Sequence, residues 1–450
     1  MINTLYLPEL REMLAGDDQP GLQEFCKALH PARTAEFMEG LTAEESWQVL
    51  QATDDATRAE IFTFLPNERQ LEMLALRDPS ETSLVIAHMA SDDRVDLLKQ
   101  ADAAAADALL AHLPPAERRD ILRLSEYPEG TAGALMTTDV ARLPETLTVR
   151  EALDEIARQA QLHETIYYTY IVDDQNHLRG LVSARRLVTH LGRPQTLLKD
   201  IMERALVTVE ATDDQESVAA KVADYDFLAI PVVDKEQHLV GIITHDDIID
   251  VVREEAEEDA YLAGAINPLE ETYLDTPWQT LSWKRGVWLF VLSAAALLTV
   301  IALRSYQATL SQVEWLAFFI PLIVSCGGNS GGQSATLVIT AMTNGTLTHA
   351  DWWRVLKREL AVGAVLGAFL SAIGYSFALL LVPGPTFVQK LVIPITLMLV
   401  VMAGTLCGGC LPLAFKRLGL DPALMSTPFV SGIIDIAGIV IYMTVAMSLL

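Results

Sequence analysis

The strongest constraint on the fold lies in the second half of the chain, where five long apolar segments follow one another. Each is long enough, at about 20 residues per span, to cross a hydrocarbon core of about 30 Å as a helix. The sequence therefore predicts an α-helical polytopic membrane domain with five spans over residues 281–450. The segments cover residues 286–303, 313–342, 360–382, 391–415 and 429–450.

Basic residues in the connections predict the orientation of this domain. Lys284 and Arg285 precede the first segment, and the later connections contain one, three, one and two bases in turn. This alternation is typical of a cytoplasmic amino terminus and an outward carboxyl terminus under the positive-inside rule. The first ten residues lack the pattern of a secretory signal. We therefore predict a multi-pass protein of the bacterial inner membrane with its soluble part in the cytoplasm.

The soluble part is strongly acidic. The whole chain has a formal charge of -27, but residues 286–450 contain five carboxylates against seven lysines and arginines, which leaves -29 on the first 285 residues. A surface of this charge repels nucleic acid and attracts multivalent cations. Divalent cations are therefore the predicted ligands, and nucleic acid is excluded as a partner.

Two domain types are predicted before the membrane. Residues 1–130 show apolar residues at helical spacing, broken at Leu65-Pro66 and Leu113-Pro114, which indicates an acidic superhelical stack of short helices. The segment 171–180 recurs as 232–241 with the same Asp, His-Leu and Gly positions, so an α/β unit is duplicated. The two units, residues 131–200 and 201–252, resemble a tandem pair of CBS domains. That resemblance implies regulation without chemistry, and ATP as a ligand that the pair could bind.

A connecting helix is predicted over residues 253–280, preceded by the acidic run 246–250 and opened by the run 254–259. A solvated linker face is the plain alternative for such a run. Like charges at helical neighbour spacing, however, cost a few tenths of a kcal/mol per pair. A bound counterion would relieve that repulsion.

Asp435 is the residue that suggests an ion path, because it lies in the middle of the last apolar segment. A charge there costs roughly 2.5–3.5 kcal/mol and usually faces a water-filled cavity. The positions 427, 431, 435, 438 and 442 share one helix face with polar or small residues, Thr, Ser, Asp, Gly and Tyr. The alternative is an aspartate that is hydrogen-bonded within a helix bundle and carries nothing.

The second apolar segment is unusually rich in glycine and polar residues over 325–336. Ser325, Asn329, Gln333 and Thr336 share a face and could offer neutral oxygens to bound water. The alternative is close helix packing at small residues, and both readings can hold together. The spacing Cys407-Gly-Gly-Cys410 is interpreted in the same way, as packing rather than metal or redox chemistry.

One carboxylate with amides and hydroxyls around it suits hydrated Mg2+, which keeps several waters and takes one or two carboxylates. A soft-metal site would need a histidine or thiolate cluster in the spans. The sequence contains no phosphate-binding loop, zinc-protease or nucleophile-elbow motif, so no enzyme is predicted. The alternatives are a CBS-regulated carrier of another divalent metal or solute, and a signalling subunit that transports nothing.

The domain order and several motifs together resemble the MgtE magnesium channel/transporter family over essentially the whole chain. The motifs are Gly327-Gly328-Asn329, Gln333 to Leu337, Asp421 to Leu424 and Asp435 in the membrane half, and Thr165 to Tyr168, Ala223 to Phe227, Pro231 to Asp234 and Glu258-Asp259 in the soluble half. Gly332 and Thr427 depart from residues that are common in the family at these positions.

The resemblance implies a homodimer with its pore on the two-fold axis and with cytoplasmic Mg2+ closing that pore. It places pore ion sites at Asp435, Ser431 and Asp421, to which we add Asn329 and Gln333. The expected cytoplasmic sensor, with Glu216 added, comprises Glu60, Asp92, Asp96, Glu216, Asp226, Asp247, Asp250, Glu255, Glu258 and Asp259.

Overall fold

The computed structural model describes residues 5–160, 163–269, 272–274 and 276–450. The chain divides into two compact units, Met1–Val252 and Arg253–Leu450. Each unit has a large apolar core of its own.

The first part of the amino-terminal unit is a stack of short helices, as the sequence predicts. Proline occupies the first turn of several of them, where its missing N–H costs nothing. Pro66 and Pro114 stand directly before helices, so both Leu-Pro steps separate neighbours. The helices are α1 Leu7–Ala15, α2 Gln19–Ala28, α3 Pro31–Met38, α4 Ala43–Gln51, α5 Asp55–Thr63, α6 Asn67–Leu76, α7 Pro79–His88, α8 Ser91–Gln100, α9 Ala103–His112 and α10 Pro115–Leu124.

Alternate helices of this stack pack on one another. One row runs α3, α5, α7 and α9, and the other runs α2, α4, α6, α8 and α10. Trp47, Phe62 and Ile86 are fully buried between the rows. No single short helix could bury such side chains alone, so the stack is the stable unit.

The second part of this unit contains the two predicted α/β repeats. Each forms a three-stranded sheet in which the first two strands are parallel and the last two antiparallel. The elements are α11 Ala132–Leu135, β1 Val140–Pro144, α12 Val149–Gln159, β2 Thr165–Val172, β3 Leu178–Ser183, α13 Ala184–Thr189, α14 Leu198–Ile201, β4 Val209–Glu210, α15 Gln215–Tyr225, β5 Ala229–Val233, β6 Leu239–Thr244 and α16 His245–Ala263.

Equivalent turns of the two repeats meet, which confirms the duplication. Asn176 and Gln237 both have φ of 66°. Their carbonyls accept the backbone N–H of the opposite repeat, from Leu239 at 3.1 Å and from Leu178 at 3.0 Å.

The carboxyl-terminal unit is helical. Four helices are long and apolar enough to cross a membrane: Trp278–Ser305, Trp352–Leu381, Phe387–Arg417 and Thr427–Leu449. The predicted second segment, residues 313–342, begins with the 3-10 turn Glu314–Phe319, and its helix covers Ile320–Thr343. Its polar middle keeps this helix out of the set of four. The elements are α17 Trp278–Ser305, α18 Gln307–Gln312, α19 Ile320–Thr343, α20 Trp352–Leu381, α21 Phe387–Lys390, α22 Val392–Arg417 and α23 Thr427–Leu449, with 3-10 turns at Glu314–Phe319, His349–Asp351 and Pro422–Leu424.

Backbone-to-backbone contact holds α19 against α22, which confirms the reading of the small residues as packing positions. A Cβ atom added to Gly404 would stand 2.5 Å from the carbonyl oxygen of Gly327, and one on Gly408 would stand 2.0 Å from that of Gly331. Only glycine allows such an approach. Cys407 and Cys410 beside them are free thiols.

Candidate ion path and cation sensor

The predicted polar face of α19 lies open on the surface of the single chain. Ser325, Asn329, Gln333 and Thr336 are all exposed, whereas the glycines between them are buried. The Asn329 amide donates to the Ser325 hydroxyl at 3.2 Å. Hydroxyl and amide groups therefore form a continuous polar strip along one side of α19.

The polar residues of α23 border this strip. The Ser431 hydroxyl donates to the Gly328 carbonyl at 3.3 Å, and Asp435 is half-buried one turn further along. A Cβ atom on Gly328 would stand 3.6 Å from Asp435 Oδ1, so glycine keeps this carboxylate close to α19. Thr336 and Thr427 approach to 3.4 Å between their hydroxyl oxygens. The arrangement brings Ser431, Asp435 and the strip together.

The open polar face of α23 is shorter in the structure than the sequence predicts. Tyr442 is fully buried, and its hydroxyl donates to the Leu316 carbonyl at 2.9 Å. Gly438 is buried beside Val400. Tyr442 therefore joins α23 to the Glu314–Phe319 turn, and the open polar face of α23 does not extend to it.

A second acidic group lies at one end of the membrane unit. Asp421 caps the Pro422–Leu424 turn by accepting the Ala423 N–H at 2.8 Å. Asp259 accepts the Thr343 hydroxyl at 3.1 Å, next to the last residue of α19. Burial raises the pKa of Asp259 and the charge of Asp421 raises it further, while Lys416 opposes the rise. Burial, Glu255 and Asp421 likewise raise the pKa of Glu258. A divalent cation would relieve this repulsion.

A third acidic group lies wholly within the amino-terminal unit, between the helical stack and the α/β repeats. Asp92 stands in the first turn of α8 and Asp247 in the first turn of α16. Asp92 Oδ1 is buried without a hydrogen-bond partner among the described residues, and Asp247 Oδ2 accepts the Thr244 hydroxyl at 2.5 Å. Burial is the main cause of the raised pKa of both carboxyls. The charge of Asp247 raises the pKa of Asp92 further.

The sequence missed three members of this group. Burial and the charge of Asp247 raise the pKa of Asp93 to about 6 and that of Glu164 to about 7. Asp246 contributes its charge to both shifts. Asp93 and Asp246 adjoin predicted residues and could have been included. Nothing in the sequence marks Glu164, which reaches the group only through the fold.

The remaining predicted sensor residues are more scattered. Burial raises the pKa of Asp96 on α8, against the charge of Lys99. The side chains of Glu60 on α5 and of Asp226, which ends α15 with φ of 52°, form no hydrogen bond or ion pair with the described residues. Glu216 lies in the first turn of α15 and Asp250 on α16, close enough for its charge to act on Asp247.

One more set of metal-ligand side chains was not predicted. Asp234, Glu236 and His238 place ligand atoms within 4.8 Å of one another on the turn between β5 and β6. The oxygens of Asp234 already accept the N–H groups of Glu236 and His238 and the His238 Nδ1, at 3.0, 2.8 and 2.8 Å. These contacts account for the set as a turn motif.

Comparison with known proteins assigns the family. Residues 320–445 match the model of the MgtE divalent cation transporters, residues 29–130 match the MgtE intracellular N domain, and residues 132–193 and 198–254 match CBS domains. The magnesium transporter MgtE of Thermus thermophilus is 39% identical over 332 residues, which cover 73% of this chain and 72% of that protein. The chain belongs to the MgtE family of divalent cation transporters. The relatives that match over most of the chain are magnesium transporters and not enzymes, in agreement with the sequence.

Two further MgtE proteins support the same family assignment. Magnesium transporter MgtE of Enterococcus faecalis is 34% identical over 72% of this chain and 70% of its own length. The corresponding protein of Bacillus subtilis is also 34% identical and has the same coverage. Two solved structures match the soluble half. The soluble part of a magnesium transporter gives a TM-score of 0.53 at 37% identity and covers 55% of this chain and 97% of its own. The cytosolic domain of the Mg2+ channel MgtE in complex with ATP gives 0.50 at 36% identity, with coverage of 54% and 98%.

Proposed function

We propose that this chain carries Mg2+ passively into the cell along the polar strip of α19 and the Asp435 face of α23. The observation that carries the proposal is the meeting of a half-buried carboxylate with exposed amide and hydroxyl groups in a helical membrane unit. These are the ligands that suit Mg2+ with most of its water retained. A potential of 100 mV contributes about 4.6 kcal/mol to the inward movement of a divalent ion, at about 2.3 per charge. No other energy source is required.

The proposal includes five spans, with α19 as the second. Its 24 residues are long enough to cross a bilayer, and packing against α22 and α23 supports its place inside the bundle. The alternating base counts support a cytoplasmic soluble part and an outward carboxyl terminus. The division into domains 1–130, 131–200, 201–252, 253–280 and 281–450 belongs to the same proposal. The single connecting helix predicted over 253–280 is wrong, because α16 ends at Ala263 and the next helix begins at Trp278.

Mg2+ entry into liposomes tests the proposal directly. Full-length protein is reconstituted into vesicles that contain a Mg2+-sensitive dye, and a K+ diffusion potential is set negative inside. We expect dye signal to rise on external Mg2+ and to rise faster as the potential becomes more negative. Uptake equal to that of protein-free vesicles would contradict the proposal. Uptake of an organic solute in the same vesicles would favour the alternative carrier.

The open polar strip supports the proposal of a homodimer. Asn329 and Gln333 are exposed on the single chain, and bare amides facing lipid are costly. A second copy related by a two-fold axis would cover the strip and place two Asp435 carboxylates opposite one divalent charge. We expect native mass spectrometry of the detergent-solubilised protein to give twice the chain mass of 49.4 kDa. A protein that conducts as a monomer would contradict this.

We also propose that cytoplasmic Mg2+ closes the path. The buried carboxyl oxygen of Asp92 and the neighbouring Asp247, Asp93 and Glu164 repel one another without a cation, and a bound Mg2+ would stabilise the compact arrangement. A ligand shifts such an equilibrium only by its differential affinity for the two states. The helix α16 contains both Asp247 and Asp259, so it can carry the shift toward the acidic group at Asp421.

Neutralising Asp226, Asp247, Asp250 and Asp259 to Asn tests this gating. We expect inhibition by cytoplasmic Mg2+ in inside-out patches to need at least about tenfold more Mg2+, because the compact state loses its bridging charges. The control has the same net charge and neutralises four exposed carboxylates that accept no side-chain hydrogen bond from the described residues, Glu68, Glu81, Asp102 and Asp107. Equal inhibition in both variants would mean that the acidic surface is only solvated.

ATP is a second proposed ligand. The relative solved with ATP is 36% identical over the soluble half, so the α/β repeats are the expected binding site. Equilibrium dialysis of full-length protein with labelled ATP would measure it.

A further inference from the structure

Glu359 is a buried carboxylate in the membrane unit that the proposed ion path does not use. It lies at the start of the third turn of α20, and only 8% of its surface is exposed. Among the described residues no lysine, arginine or histidine forms an ion pair with it. A carboxylate within a span is expensive, and its contacts usually show why it is retained.

The partners of Glu359 lie on two other helices. The Ser334 hydroxyl of α19 donates to Glu359 Oε2 at 2.6 Å. The Thr405 hydroxyl of α22 donates to the Glu359 backbone carbonyl at 3.1 Å. Ser334 and Thr405 are themselves 5% and 1% exposed. One residue of α20 is therefore joined by hydrogen bonds to both helices that it faces.

The opposite wall is shaped to admit this side chain. A Cβ atom on Gly409 of α22 would stand 2.6 Å from Glu359 Cγ and 3.3 Å from its carboxyl carbon. Any larger residue at position 409 would displace the carboxylate from Ser334. The contact between Glu359 and Ser334 is thus enclosed by glycine on one side and by a donor on the other.

The hydrogen bond between Ser334 and Glu359 affects the rotation of α19, because Ser334 lies next to the polar strip. Successive residues of a helix are turned by about 100° from one another. Holding Ser334 on the protein side directs its neighbour Gln333, and Asn329 one turn earlier, to the open polar strip. A hydrogen bond in a low-dielectric interior is electrostatically stronger than the same bond in water.

We propose that Glu359 is a positioning residue that fixes the rotation of α19 through Ser334, and thereby directs Asn329 and Gln333 toward the ion path. The proposal rests on the proposed function for its effect on flux. Its geometric part concerns α19 alone and can be measured separately.

The first measurement compares Mg2+ and Co2+ influx in liposomes for Ser334→Ala, Glu359→Ala and Glu359→Gln. Ser334→Ala and Glu359→Ala are expected to change the Mg2+/Co2+ flux ratio by about fivefold to tenfold, the size expected for one interhelical hydrogen bond. Glu359→Gln keeps an oxygen that accepts from Ser334 and should stay within about twofold of the wild type. Because both alanine changes remove one interaction, the double variant should add nothing to Glu359→Ala.

The second measurement reads the rotation without ion flux. Gln333→Cys is introduced, and its reaction rate with a membrane-impermeant thiol reagent is measured after subtraction of the rate of the parent protein with its native cysteines. Adding Ser334→Ala should slow the reaction at residue 333 by about fivefold, because the side chain spends less time facing the aqueous strip. Adding Glu359→Gln should not.

The outcomes separate the inference from the proposed function. A wild-type protein that carries no Mg2+ would refute the proposed function, while the thiol rates would still decide the role of Glu359. If the wild type conducts and Ser334→Ala changes neither the flux ratio nor the rate at residue 333, the positioning role is overturned. Should Glu359→Ala fail to fold, Ser334→Ala removes only a hydroxyl and decides the question alone.

Discussion

Replacing Asp435 by alanine should reduce Mg2+ uptake to the level of vesicles without protein. In the proposed dimer this change removes both charges that face the ion on the axis. Each carboxylate 4 Å from a unit positive charge contributes about 4 kcal/mol at an effective dielectric of 20. Even a small part of that energy corresponds to a decrease of more than about tenfold, since about 1.4 kcal/mol is a factor of ten. Influx into dye-loaded liposomes and growth of a magnesium-auxotrophic host on low Mg2+ measure the effect.

Two further variants show whether charge or structure is responsible. Asp435→Asn keeps the shape of the side chain and should also lose uptake, since an amide does not neutralise the ion. Glu314→Ala removes an exposed carboxylate from the Glu314–Phe319 turn and should conduct like the wild type. Every variant must elute as the wild-type species on size exclusion. Full rescue of the auxotroph by Asp435→Ala would refute the assignment of Asp435 to the ion path.

Much of the architecture could be predicted because it depends on local periodicity. Helix breaks at Leu-Pro steps, the duplicated strand-turn-strand segment and the polar face of α19 are set by residues close in sequence. The structure reproduces all three. The number of spans is harder to predict, because the polar residues that α19 contributes to the proposed ion path also lower its mean hydropathy. Five segments were predicted, whereas four helices meet the criteria of length and apolarity.

The residues that could not be predicted act over long sequence separations. Glu164 joins Asp247 from a different repeat, and the Tyr442 hydroxyl finds a carbonyl of Leu316. Glu359 follows Lys357 and Arg358, so hydropathy places it before the third apolar segment. The helix α20 begins at Trp352 and carries it inside the bundle. The charges of Lys357 and Arg358 therefore give no information about the burial of Glu359, because α20 starts about two turns earlier.

Two positions that the sequence resemblance marked as departures, residues 332 and 427, illustrate the same limit. Gly332 on α19 and Thr427 on α23 are distant in sequence but adjacent in the fold. A Cβ atom on Gly332 would stand 2.4 Å from Thr427 Cγ2. The small residue at one position therefore makes room for the branched residue at the other, and neither departure is independent.

Gly408→Ala is expected to disrupt the membrane unit, because the nearest atoms to the added methyl group are backbone atoms of α19. Its Cβ would stand 2.0 Å from the Gly331 oxygen, 2.9 Å from the Gly331 carbonyl carbon and 3.0 Å from the Ala335 nitrogen. A flexible side chain could move away, but here α19 and α22 must separate, which breaks the contact that positions the polar strip. Overpacking of a core costs typically 1–3 kcal/mol. We therefore expect the melting temperature to fall by roughly 3–10 °C.

Gly432→Ala is the matched control, since this glycine lies in α23 and its added Cβ would come no closer than 3.9 Å, to Ala295 Cβ. Alanine is the better helix former by about 1 kcal/mol, so the control should melt at or above the wild-type temperature. Gly404→Ala, with 2.5 Å to the Gly327 oxygen, should be destabilised as well. Size-exclusion elution and thermal denaturation of the full-length proteins in one detergent provide the comparison. A Gly408→Ala protein that elutes and melts like Gly432→Ala would contradict this prediction. It would mean that α19 and α22 lie further apart than their glycines indicate. The polar strip would then lack the rigid support on which the proposed ion path depends.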